Sequence, residues 1–174
     1  MVRWRSEPFR AFFPLGVLLG WVGIGHWLLY SVGMTTTYSC MLHGLVQTQA
    51  FLMAFAVGFL TTALPRRTQA PPASAGELWL AAAALTTTAI AATAEQWVIA
   101  EVSYVVVLLV LLEFAVRRFL GRTSDRRPPA AFVLIPFAFL HGLGGAGLIL
   151  AWAAFGAMGT RFPVPSASAA ERAD

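Results

Sequence analysis

The chain carries three histidines, His26, His43 and His141, and these are its best transition-metal ligands. Neutral imidazole is the commonest protein ligand for iron, copper and zinc. Cys40 and five methionines complete the soft donors. Gln47 follows His43 by four residues, so both share one helix face. Ala54, Gly58 and Thr61 continue that face. An imidazole beside a stripe of small and polar residues suits an axial ligand with the edge of a haem lying along the helix. It suits equally a histidine hydrogen-bonded to a neighbouring helix, with the small residues serving packing. No H-x-x-H or H-E-x-x-H spacing, phosphate loop or nucleophile–histidine–acid set is present. No catalytic residue is therefore assigned, and a binding role is favoured over turnover.

The elements that must position these histidines are membrane helices. The 174 residues are 58% hydrophobic and only 11% charged, against about 25% charged in an ordinary soluble domain. Five apolar stretches, at about 12–32, 40–64, 78–94, 98–116 and 131–158, meet the length needed to cross a bilayer. The expected fold is all-α, an integral membrane bundle of five transmembrane helices over residues 12–158. Residues 1–11 precede it, and 159–174 form a polar tail. The basic start is like that of a signal peptide, but the first apolar run is too long for a signal-peptide core. A retained first span is expected.

All twelve basic residues are arginine, and the pI is about 10.2. They flank the spans instead of gathering on one polar element. This is topogenic charge, and nucleic acid is excluded as a partner. Ten of the twelve fall before span one, after span two or after span four. The positive-inside rule then puts the N-terminus in the cytoplasm and the C-terminus outside.

That topology sets the depth of each histidine. At ~1.5 Å per residue, His26 lies about 21 Å into span one and His43 about 5 Å inside the outer end of span two. The two share an outer-leaflet depth, and the short 33–39 connection brings their spans together, so a bis-histidine pair is geometrically allowed. His141 lies about 15 Å into span five, near mid-membrane. The carboxylates Glu77, Glu95 and Glu101 are expected near span ends, close to water. Glu113 is expected to pair with Arg117 at i+4. Gly16 and Gly20 form a G-x-x-x-G, and more glycines cluster at 142–147; both permit close helix approach.

The run from His43 to Arg66, with Gln47 and then F-L-M-A-F-A-V-G-F-L-T-T-A-L-P-R, resembles the second-span region of the NnrS family. The segment EPFRAFFPLG at 7–16 is similar to that family's approach to its first span. The segment FVLIPFAFLHGLGGAGL at 132–148 is similar to a later one. These are multi-span bacterial membrane proteins linked to nitric-oxide stress, and the family is associated with haem and copper. Members are usually more than twice this length. The better-known ones carry H-A-H-E-M where this chain keeps one histidine, His43, with Leu45 and Val46 at the next polar positions.

The resemblance implies haem as the cofactor and His43 as the metal ligand, with His26, His141 and Gln47 as further cofactor-binding candidates. The missing second histidine and glutamate argue against copper. The expected role is a non-catalytic accessory or cofactor-binding subunit of a larger bacterial inner-membrane complex, respiratory, photosynthetic or nitric-oxide/redox. Its partners are then the lipid bilayer and other membrane subunits. The alternative is a haem-binding protein of the nitric-oxide response with His43 as axial ligand.

Overall fold

The computed structural model describes residues 6–36, 38–68 and 70–120. Within them every regular element is helical, and four helices are long and apolar enough to cross a membrane. They match the first four expected spans. The fifth, 131–158, and the tail at 159–174 lie outside the described residues.

Helix α1 runs Phe9–Ser31. Pro8 starts it, with φ already helical at −54°. It ends at Gly33, whose φ of +74° lets the Met34 N–H reach back to the Leu29 carbonyl at 2.9 Å. Span two follows as one continuous rod of three parts. These are α2 (Cys40–Leu45), a π-helical stretch (Val46–Leu52) and α3 (Met53–Thr68). Ser39 caps it, accepting from the Leu42 N–H at 3.1 Å. Helix α4 spans Ala75–Thr93 and opens with a capping box in which Ser74 and Glu77 each accept the other's backbone N–H. A turn through Glu95, at φ +57°, leads into α5, Trp97–Leu120.

The helices alternate in direction, so the bundle has two distinct ends. One carries Glu7, Arg10, Arg66, Glu77, Arg117 and Arg118. The other carries His26, Tyr38, Cys40 and Glu95. Helices α4 and α5 form a close hairpin on Ala81, Ala84, Leu85, Ala92, Ala100 and Val107, which are all buried. Lipid is as apolar as these side chains, so close packing of small residues holds such helices together. Span two lies between this hairpin and α1. Among the described helices α1 is the least buried, with 28% of its apolar window buried against 50% for α5.

Candidate functional site

Span two meets α1 along a glycine seam. A Cβ on Gly16 would stand 2.7 Å from the Phe55 ring, on Gly20 2.8 Å from Phe51, and on Gly23 2.7 Å from the Gln47 amide nitrogen. The G-x-x-x-G thus finds its partner within the chain. Farther along, Gly58 accommodates Phe12, and the Phe9 N–H donates to Thr62 Oγ1 at 3.2 Å.

The seam on span two therefore reads 43, 47, 51, 55, with steps of four. In a pure α-helix twelve residues would drift by about 120° around the axis. The π-helical stretch adds residues to its turns and takes up most of that drift. This corrects the expected stripe. Ala54 and Gly58 do meet α1, but Phe51 and Phe55 fill the seam at Gly20 and Gly16. Thr61 is buried, and its hydroxyl donates to the Val57 carbonyl. The face is a helix contact and not a flat shelf.

His43 stands at the top of this seam. Its Nδ1 lies 3.2 Å from the Gly23 carbonyl. A carbonyl only accepts, so Nδ1 carries the proton and Nε2 carries the lone pair. The ring stacks on Trp27 at 5.0 Å and 9°. Gln47, one turn deeper, donates to the Gly20 carbonyl at 3.0 Å. Both acceptors are helix carbonyls using a second lone pair, reachable because α1 has no Cβ at Gly20 or Gly23.

His26 is also near this end, but beside different neighbours. Its ring lies 5.7 Å from Tyr38, and Tyr38 lies 5.9 Å from Trp27. The aromatic chain thus runs His26, Tyr38, Trp27, His43. Trp27 and Tyr38 come between the two imidazoles in that chain. His26 Nδ1 is buried without a hydrogen-bond partner among the described residues. No group of three or more histidine, cysteine or acidic side chains suited to a metal occurs among them. His141 lies outside the described residues.

The fit to a haem can be stated residue by residue. His43 would hold such a group through Nε2, with Nδ1 tied to the Gly23 carbonyl. That arrangement fixes tautomer and ring orientation in metal-binding histidines generally. Gln47 is committed to Gly20 and steadies the seam.

Two polar clusters were not legible as such. The first is at the arginine-bearing end. Arg118, with its side chain 5% exposed, pairs with Glu77 at 2.9 and 3.0 Å. It also donates to the carbonyls of Pro71, Pro72 and Phe114, and its guanidinium lies 3.9 Å from the Phe114 ring centroid. The second joins Gln49 to Glu101. Glu101 was expected near water, yet it is 1% exposed. By contrast Glu113–Arg117 forms as expected, on the surface.

At the start of α1, Glu7 pairs with both Arg10 and Arg66. Desolvation pushes the Glu7 carboxyl up, but hydrogen bonds and charge from Arg66 and Arg10 outweigh it and hold its pKa below the ordinary value.

Comparison with known proteins gives one family. The family model described as NnrS protein matches residues 3–168. No curated protein and no solved structure matches the chain.

Proposed function

The chain belongs to the NnrS family, and within it we propose a non-catalytic accessory or cofactor-binding subunit of a larger bacterial membrane complex, of respiratory, photosynthetic or nitric-oxide/redox type. The observation that carries this reading is His43. Its Nδ1 proton is committed to the Gly23 carbonyl, and its ring is fixed against Trp27. An imidazole so held is arranged to bind through Nε2, not to shuttle protons. Four apolar spans make the bilayer its surroundings. The positive-inside rule orients the arginine-bearing end to the cytoplasm.

The second reading is a haem-binding protein of the nitric-oxide response, and the Nδ1–H tautomer of His43, which leaves the Nε2 lone pair to a metal, favours it. Haem would supply redox chemistry or binding of a diatomic gas. This chain would supply the axial imidazole, its orientation by Gly23 and Trp27, and a dry apolar wall. His26, His141 or a partner chain would provide any second ligand. Leu45 and Val46, where better-known members of the family carry further polar ligands, argue against copper.

The test is spectroscopic. The full chain purified in mild detergent and mixed with haem should develop a Soret band that His43→Ala abolishes. Gly23→Ala, which crowds the seam at Gln47, should weaken it. A well-folded wild type that takes up no haem overturns the cofactor reading. Migration as a lone folded monomer from native membranes overturns the subunit reading.

A further inference from the structure

The polar pair at the centre of the bundle has no part in the His43 site. Gln49 is 4% exposed and Glu101 1% exposed, on helices that span the membrane. The Gln49 amide nitrogen reaches both carboxyl oxygens, at 3.1 and 3.2 Å. Its own carbonyl oxygen is buried and has no hydrogen-bond partner among the described residues.

Among the described residues the surroundings offer no charge to balance a carboxylate. Among the described residues, Gln49 on span two is the hydrogen-bond partner of Glu101. Tyr104, one turn along α5, is its titratable neighbour. From α4, Thr88 faces the same region, but its hydroxyl donates to Ala84 at 2.9 Å and lies 3.4 Å from the Ala100 carbonyl. Arg118 lies about 25 Å farther along α5, counted at 1.5 Å per residue. His43 is tied to Gly23 on the α1 side. An unpaired carboxylate in such a place is strongly disfavoured, and the usual relief is to take up a proton.

We propose that Gln49 and Glu101 form an intramembrane proton-binding site, with Glu101 held as a neutral carboxylic acid against the Gln49 amide. Binding is simple addition of one proton to one carboxylate oxygen. The acid then has an O–H to donate, and the orphaned Gln49 carbonyl oxygen is the acceptor that lacks a donor. A turn of the amide in its own plane closes a cyclic pair. In it the amide N–H donates to the acid C=O, and the acid O–H donates to the amide oxygen. Both the buried charge and the unmet acceptor disappear together. Gln49 also lies in the π-helical stretch, and such turns are frequent at functional sites.

Infrared difference spectroscopy of the full chain in dodecyl maltoside, a detergent without ester carbonyls, tests this. Wild type minus Glu101→Gln should show the C=O band of a protonated carboxylic acid at neutral pH, downshifted in D2O. Titrating it away should require proton concentrations on the order of 1,000-fold or more below those that protonate an exposed glutamate. Gln49→Leu should move the band to higher frequency as its hydrogen bonds are lost. Labelling wild type with carbon-13 glutamate shifts the same band and reads the site even where a variant misfolds. Ionised carboxylate bands alone at neutral pH, or a band indifferent to Gln49→Leu in a folded protein, overturn the proposal.

Discussion

Two glutamates of the α4–α5 hairpin have their side chains largely withdrawn from water, Glu101 fully and Glu77 to 9% exposure, and their partners differ. Glu77 meets a guanidinium; Glu101 meets an amide. At Glu77 every oxygen is engaged, by Arg118 and by the Ser74 N–H, and Arg118 itself spends its donors on three more backbone carbonyls. At Glu101 one amide nitrogen serves both oxygens and the amide oxygen is left over. Withdrawal from water thus gives unequal roles. The complete ionic cluster fastens the 70–74 connection to the end of α5. The incomplete one is free to change its proton count.

The contrast is broken most directly at Arg118. Arg118→Ala leaves the Glu77 charge buried and strips the Pro71 and Pro72 carbonyls of their donor. Losing one partner of a buried ion pair costs about 3–5 kcal/mol. Unfolding of the purified protein in detergent should show a loss of that size. Replacing both partners by methionine should recover most of it, since packed apolar residues are often as stable as a buried pair. A loss under about 1 kcal/mol for Arg118→Ala would place this cluster with ordinary surface pairs.

The two glutamates can then be compared by one chemical change. Glu77→Gln keeps shape and removes charge, and one accepting oxygen becomes an NH2 that Arg118 cannot donate to, so stability should fall by about 1.5–3 kcal/mol, the worth of a charged hydrogen bond. Glu101→Gln replaces a neutral acid by a neutral amide. It should change stability by less than about 0.5 kcal/mol, the range of uneventful substitutions. Equal losses at the two positions would mean that Glu101 is ionised.

The glycine seam sharpens the comparison from the other side of span two, where packing and not charge holds the helices. Gly16→Val places a branched side chain where even a Cβ would be 2.7 Å from the Phe55 ring. Overpacking of this kind costs about 1–3 kcal/mol. The effect should appear as lowered thermal stability, with the Arg118 cluster unaffected. Gly25, whose Cβ position meets nothing within 4 Å among the described residues, is the matched control.

The spans were legible because about twenty apolar residues between arginines leave few other solutions. The four described helices fall where the hydropathy places them, with ends shifted by a few residues. His43 and Gln47 were legible as one face, and they do meet α1 together. The π-helical stretch was not. It is visible only once Phe51 and Phe55 must both face a glycine, and no local signal in V-Q-T-Q-A-F-L demands it.

Glu101 was misjudged for a geometric reason. Depth counted from the nearest span end puts it about 6 Å in, and Gln49 about 14 Å in. They meet, so the Cys40 end of span two projects beyond the α4–α5 turn, which a count along each helix separately cannot reveal. Two polar residues within apolar spans, Gln49 and Glu101, were the available signal. Pairing them required knowing which helices are neighbours.

Arg118 and Arg117 make the smallest and narrowest test, because they are adjacent in sequence and were read alike as topogenic charge. They point to opposite surroundings. Arg117 pairs with Glu113 one turn back, and its side chain is 68% exposed against 5% for Arg118. An exposed i,i+4 pair on a helix contributes about 0.3–0.5 kcal/mol, less in salt. Arg117→Ala should therefore shift the unfolding midpoint barely beyond error, and raising the ionic strength should erase the shift. The Arg118→Ala loss should persist in the same salt, because a buried pair is screened far less. Were the two variants to respond equally to salt, the distinction between a fastening arginine and a flanking one would fail at the place where the sequence offers no means to separate them.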